Sequence, residues 1–226
     1  NSLKAGKNNF VEKPLAINNE QLINIKNAII KNPNTILTVG FNRRFSNHIK
    51  IIKEHLGDDI GPINIIANMN AGKVSPEHWV NDLDVGGGRI IGEACHLMDL
   101  CVYISGSLIK SVCMNSLGVS TNLATENASI LLKFVNGSNA VINYFSNGSK
   151  QYMKERLEVF SEQQVWITKN FKITEAYGVN RFKNFKSKID KGHINLFTDL
   201  IQKTKNNGKP LIRISEIFNV SSASLA

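Results

Sequence analysis

Cysteine is scarce in this 226-residue chain: three residues, Cys95, Cys101 and Cys113, with no C-x-x-C spacing. An odd, sparse set of thiols excludes a disulfide framework and offers no zinc site, so they read as small buried hydrophobes in a reducing compartment. No run of about 18 apolar residues occurs, which excludes an ordinary membrane-spanning helix. The opening Asn1-Ser2-Leu3-Lys4-Ala5-Gly6-Lys7 is polar and lacks the apolar stretch of a secretory leader. The Asn-x-Ser triplets at Asn127, Asn136, Asn147 and Asn219 therefore read as turns and polar positions. Together these absences predict a cytoplasmic protein that does not associate with a membrane. The histidines His48, His55, His78, His96 and His193 form no sequence-local ligand cluster, so no metal is expected, and no internal repeat is evident.

What is present begins with charge. The formal net charge of +9 raises the possibility of a nucleic-acid partner. The basic residues, however, are mostly lysines scattered through an Asn-, Ile- and Lys-rich chain. Only residues 181–188, Arg-Phe-Lys-Asn-Phe-Lys-Ser-Lys, are dense, and they read as an exposed connection, so no nucleic-acid partner is expected. Hydrophobic residues make up 42% of the chain, enough for one large core or two small ones.

The order of elements suggests two grammars. A short buried strand at Phe10-Val11 precedes a helix over about 18–31, capped by Asn18 or Asn19, with Leu22, Ile25, Ala28 and Ile29 at helical spacing. A second buried strand follows at 36–40, where apolar residues do not alternate with polar ones. Strand, helix, strand reads as the tail of an α/β sheet whose first strands lie outside this sequence. After residue 45 a helix over about 46–56 leads into a strand at 63–69. Further strands are predicted at 111–117, 128–135, 138–145, 156–161 and 164–168. Asn136-Gly137 joins two of them as a hairpin turn, and tight turns imply a mainly antiparallel sheet with helices on one face. Helices at about 194–205, stopped by Asn207-Gly208-Lys209-Pro210, and near 221–226 complete the chain.

The segment richest in chemistry is Val85-Gly86-Gly87-Gly88-Arg89-Ile90-Ile91-Gly92-Glu93-Ala94-Cys95-His96-Leu97-Met98-Asp99. Arg89, Glu93, His96, Asp99 and Tyr103 recur at helical spacing on an otherwise apolar helix, which predicts a polar stripe facing a cavity. The glycines miss the G-x-G-x-x-G spacing and follow no hydrophobic strand, so they read as room for a close approach, not as a phosphate cradle. His96 is the best general acid/base candidate, and Glu93, three residues earlier, could orient its ring. Lys13, in Glu12-Lys13-Pro14-Leu15 just after a strand, can hydrogen-bond a substrate hydroxyl and stabilise its alkoxide; a plain polar turn is the alternative.

Taken in order, Glu12-Lys13-Pro14, then Val39-Gly40-Phe41-Asn42-Arg43-Arg44-Phe45, then the glycine run leading to His96 and Asp99, resemble the Gfo/Idh/MocA family of nicotinamide-dependent sugar oxidoreductases. Lys4-Ala5-Gly6-Lys7 and Lys191-Gly192-His193 extend the resemblance over nearly the whole chain. Arg89-Ile90-Ile91-Gly92-Glu93 is similar to the branch in which such a module can follow a zinc-dehydrogenase-like one. The resemblance implies an α/β tail of a Rossmann domain over 1–45 and, over 46–226, an α+β substrate-binding and oligomerisation domain with an open sheet. It implies NAD or NADP as cofactor, a small sugar-like substrate, and a homo-oligomer built through the open sheet. It places Lys13 by the nicotinamide with a cis Lys13–Pro14 bond, and makes His96 catalytic with Glu93 in support. Glu12, Lys13, Pro14 and Arg44 become expected cofactor contacts, and His78, Trp79 and Arg89 expected substrate contacts, with structural roles for Trp79 and Arg44 left open. Many members carry aspartate where this chain has Gly92, so a lysine–aspartate–histidine relay does not carry over. The isolated chain is expected to be inactive; the alternative is a non-catalytic assembly domain built on the sheet.

Overall fold

A computed structural model describes residues 2–3, 5–57, 60–75, 77–119, 125–206 and 209–226. Lys4 of the N-terminal motif and the Asn207-Gly208 helix stop lie outside these residues. The first strand, β1 (Asn9–Val11), is half-buried where full burial was expected, and pairs in parallel with the fully buried β2 (Leu37–Val39). Between them runs α1 (Asn19–Lys31), started by the Asn18 carboxamide, which accepts the Gln21 N–H at 2.9 Å. A 3₁₀ turn at Asn42–Phe45 then leads into α2 (Asn47–Leu56), which Ser46 caps.

The remainder is built on one eight-stranded sheet. Its strands are β3 (Asn64–Asn70), β4 (Ile109–Ser116), β5 (Ala128–Phe134), β6 (Asn139–Phe145), β7 (Glu155–Ser161), β8 (Gln164–Lys169), β9 (Ile173–Tyr177) and β10 (Phe185–Lys186). Their spatial order is β10-β9-β8-β7-β3-β6-β5-β4. The chain's first strand in this sheet, β3, therefore sits at its centre, parallel to β6 and antiparallel to β7; every other pairing is antiparallel. Period-two burial fixes the faces. Ile65, Ala67, Met69, Ile130, Leu132, Ile142, Tyr144, Leu157, Val159 and Trp166 point into the core. There they are covered by α3 (Cys95–Ser105), with α5 (Ile214–Leu225) packed against it and α4 (His193–Lys205) docked on the 3₁₀ turn. The opposite face is open, with Leu131, Met114 and Phe145 exposed. Polar side chains bridge its strands: Ser129 Oγ donates to Asn143 Oδ1 at 2.8 Å, and Asn143 Nδ2 to Asn68 Oδ1 at 2.7 Å.

Three departures from the sequence reading have physical causes. Residues 181–188 are not merely an exposed connection, because Phe185-Lys186 pairs with β9 and Phe182 packs edge-on against Trp166 at 4.9 Å. Helix α5 starts at Ile214, seven residues before the predicted 221, because Ile217 and Val220 are buried and belong to its core-facing side. Most important, the striped segment is not one α-helix: Ile90–Ala94 is a π-helical turn that passes into α3. A π-turn adds a residue per turn and rotates the downstream residues relative to the upstream ones. Arg89 and Glu93 consequently serve a different neighbourhood from His96, and Asp99 a third.

The turn before α4 is docked onto the 42–46 segment. Asn42 Nδ2 donates to Lys191 O at 2.7 Å, Ser46 Oγ to Asp190 O at 2.6 Å, and Asn195 Nδ2 to Phe45 O at 2.8 Å. Gly192 is at φ +84°, and a Cβ there would lie 2.3 Å from Asn42 O and 2.5 Å from Ser46 N. Both the conformation and the backbone contact require glycine. Gly192→Ala is expected to cost at least about 2 kcal/mol, read as a fall in the urea midpoint with unchanged slope.

Candidate active site

Strand β1 ends at Val11, and the cis Lys13–Pro14 bond follows. Lys13 is half-buried, and its Nζ donates to the Gly92 carbonyl at 2.7 Å, across 79 residues of sequence. Gly92 lies in the π-turn, so the lysine is anchored at the element that leads into α3 and His96. His96, near the start of α3, is only 7% exposed, with its ring edge-on to Phe41 at 6.3 Å between centroids. Its Nδ1 is buried and has no hydrogen-bond partner among the described residues. Burial first, and then the positive charge of Arg43, Lys13, His193 and Lys191, hold its pKa well below the usual 6.5. Neutral imidazole is the resting form at neutral pH. The adjacent Cys95 thiol is pushed up to about 12 by burial and is not a nucleophile.

Apart from Lys13, the cationic surroundings come from residues to which the sequence reading gave no role in the site. Arg43 grips Glu155 through Nε at 2.7 Å and Nη2 at 3.2 Å, and Lys191 Nζ binds the same carboxylate. Burial alone would raise the Glu155 pKa, but Arg43 and Lys191 hold it below its ordinary value. Nothing local in the sequence marks this triad, since Arg43 and Glu155 are 112 residues apart.

The other predicted residues fall in several places. Glu12 is exposed, its carboxylate lying against Gly40, where a Cβ would meet Oε2 at 2.9 Å. Glu93 does not turn toward His96. Its Oε2 accepts the Tyr144 hydroxyl at 2.6 Å and pairs with Arg89 at 3.5 Å. Burial and then this bond raise the Tyr144 pKa above its ordinary value. Arg89 is itself fully buried, its Nη1 donating to Gly72 O at 2.7 Å, its guanidinium 5.4 Å from the centre of the Tyr144 ring and its Nη1 3.7 Å from Glu126. Only its Nε lacks a partner among the described residues. Arg89 thus braces the π-turn from inside and presents no open edge to a substrate. His78 and Trp79 are exposed, 5.7 Å apart; His78 Nδ1 accepts the Val80 N–H, and the Trp79–Val80 backbone rests on Gly86, where a Cβ would approach within 2.6 Å. Neither makes a hydrogen bond or ring contact with His96.

Arg44, expected as a cofactor contact with a structural role left open, turns to protein carboxylates. It is buried and spends both edges on protein carboxylates: Nε and Nη2 on Asp99 at 2.9 and 2.6 Å, and Nη1 on Glu216 at 2.7 Å. Its plane also lies 5.1 Å from the centre of the Tyr103 ring. Arg44 thus ties the 3₁₀ turn, α3 and α5 together as a buried cross-link. Burial pushes the Asp99 carboxyl up to about 6 against the pull of Arg44, so at neutral pH the pair is ionised.

Among the described residues, no three His, Cys, Asp or Glu side chains are grouped to hold a metal ion, and no helix is long and apolar enough to cross a membrane. Residues 58–166 match the family model of the GFO/IDH/MocA C-terminal domain. The chain is 29% identical over 168 residues to "Myo-inositol 2-dehydrogenase" of Thermotoga maritima, covering 71% of this chain and 48% of that protein. It is 30% identical over 163 residues to "Uncharacterized oxidoreductase YrbE" of Bacillus subtilis, covering 70% and 47%. The chain thus spans about half the length of the curated relatives it matches. Among solved structures, the fold is shared with UDP-N-acetylglucosamine 3-dehydrogenase GnnA from Acidithiobacillus ferrooxidans, at TM-score 0.78 and 17% identity over 99% of this chain and 70% of that one. The WlbA dehydrogenase from Bordetella pertussis, solved with NADH and UDP-GlcNAcA, gives TM-score 0.76 at 17% identity over 99% and 69%.

Proposed function

Because the chain belongs to the Gfo/Idh/MocA family, we propose that it forms the substrate-side part of an NAD- or NADP-dependent oxidoreductase acting on a secondary alcohol of a sugar, nucleotide sugar or cyclitol. Residues 1–45 would close a dinucleotide-binding domain, and 46–226 would bind substrate and associate through the open sheet face, where Leu131, Met114 and Phe145 are exposed. Three unpaired thiols support a cytoplasmic setting. The observation that carries the reading is the convergence of Lys13, anchored on the π-turn, and a neutral, buried His96 in the first turn of the helix that follows it.

The nicotinamide, when bound, supplies an acceptor for the hydride leaving the carbinol carbon. Lys13 fits its reactive end, because its ammonium lies at the turn that leads into the His96 helix and its contact there is a neutral carbonyl; Glu12 and Pro14 flank it in the same segment. Arg44 lies buried between Asp99 and Glu216 and is given a structural role instead. Lys13 donates to the substrate oxygen and stabilises charge as it develops. The unpaired state of His96 Nδ1, and a ring held neutral by burial, suit the imidazole to accept the hydroxyl proton. Oxidation thus sends the hydride one way and the proton to His96, leaving a carbonyl; reduction returns both. Glu93, held by Tyr144 and Arg89, takes no part in this proton transfer.

The test is a pH profile of cofactor-linked alcohol oxidation by the protein that carries this chain. Because the His96 pKa is depressed, the basic form persists well into acid, and the acid limb of kcat/KM should lie below pH 6.5. An acid limb centred at 6.5 or above would remove His96 as the base.

A further inference from the structure

The basic groups near His96 are not explained by proton transfer alone. They arrive from three remote segments: Lys13 after β1, Arg43 in the 3₁₀ turn, and Lys191 with His193 at the start of α4. The docked Asp190–Gly192 turn holds the last of these in place, through the Asn42 and Ser46 bonds already described. Against the three fixed cations, one carboxylate among the described residues is bound to them, Glu155, shared by Arg43 and Lys191. The Lys13 ammonium donates to the Gly92 carbonyl and forms no ion pair among the described residues.

Nearby carboxylates are committed elsewhere. Asp99 and Glu216 bind Arg44; Asp190 accepts the N–H groups of Asn47 and Gly192; Glu93 is bound to Tyr144 and Arg89; Glu12 lies exposed over Gly40. A surplus of positive charge opposes protonation of the imidazole, which is the step His96 performs. The part of the opposition that comes from these charges is offset when the ligand itself brings negative charge among them. An oxyanion is also the group that ammonium heads and a guanidinium recognise best.

We propose that this site selects a hydroxylated substrate that also bears an oxyanion, a carboxylate or a phosphate, which Lys191 and Lys13 receive beside His96. The proposal rests on the reading of His96 as proton acceptor, but its test does not depend on turnover.

The 226-residue chain is titrated with D-glucuronate, D-glucose 6-phosphate and D-glucose at low and high salt. Binding is followed by the His96 ring resonances, assigned by their loss in His96→Gln. Either charged sugar is expected to bind at least about tenfold more tightly than glucose, to weaken with salt, and to raise the pH at which His96 titrates. Which of the two binds more tightly distinguishes a carboxylate from a phosphate. Lys191→Met should weaken the charged sugar about tenfold without changing glucose, and Lys191→Arg should retain most of the affinity. Should Lys191→Met fail to fold, the salt dependence of the parent chain and Lys191→Arg decide. Equal affinity for charged and neutral sugars, silence of the His96 resonances, or a folded Lys191→Met that binds like the parent overturns the proposal. Cofactor-linked oxidation is assayed separately on the protein that carries this chain. Its absence would sink the oxidoreductase reading while leaving the anion result standing.

Discussion

Replacing His96 with alanine in the protein that carries this chain should lower kcat/KM by about 10²- to 10⁴-fold, the range lost when a positioned acid/base group is removed. The effect should fall mainly on kcat, because proton transfer belongs to the transition state and not to the resting complex. The structural cost should be small by comparison. His96 has a buried Nδ1 with no partner among the described residues, so no hydrogen bond from that atom is lost and a desolvation penalty is relieved. Turnover within about threefold of the parent on a confirmed substrate would show that the proton leaves by another route.

Arg44→Met should produce the largest loss of stability, about 3–5 kcal/mol, by stranding the buried Asp99 and the largely covered Glu216 together. The loss should depend on pH with a definite sign. Burial already places the Asp99 pKa near 6 with Arg44 beside it, above the unfolded value of 3.8. A group whose folded pKa is raised favours the folded state below the unfolded value and loses that advantage as pH rises through the folded one. Without the guanidinium the folded pKa climbs further, so the Arg44→Met deficit is greatest at neutral pH and shrinks in acid. Adding Asp99→Asn should recover part of it. Urea unfolding at two pH values reads both effects; a change below about 1 kcal/mol at pH 7 would mean that the network contributes far less than its geometry suggests.

The same residue shows where sequence reading stops. Arg44 looked like a ligand contact because its motif neighbours did. Its true partners, Asp99 and Glu216, lie 55 and 172 residues away and become visible only once α3 and α5 are packed. The apolar helix around His96 was legible locally, whereas Lys13 read alone as a polar turn and stood out only through the order of motifs, and the roles of both remain proposals. The strand pattern from 63 to 168 was legible locally as well, since period two survives any arrangement of neighbours. The register of Glu93 with His96 was not, because regular helical spacing assumes 3.6 residues per turn and the chain spends one turn at Ile90–Ala94 in a wider helix. Residues Phe185-Lys186 were hidden by their charge: a two-residue edge strand among lysines has too little alternation to be seen.

The central place of β3 has a consequence for how the molecule is made. The hairpins β4-β5-β6 and β7-β8-β9 are local, and each can form as soon as its own residues are available. They do not touch as ladders except through β3, which pairs Ile65 with Ala140 on one side and with Val159 on the other. The earliest strand of the sheet must therefore wait, unpaired, for partners about 75 and 95 residues downstream. Closing such long loops before any contact rewards them slows folding. The step that joins the two halves is expected to limit the rate, with β3 the strand most exposed to mispairing until then.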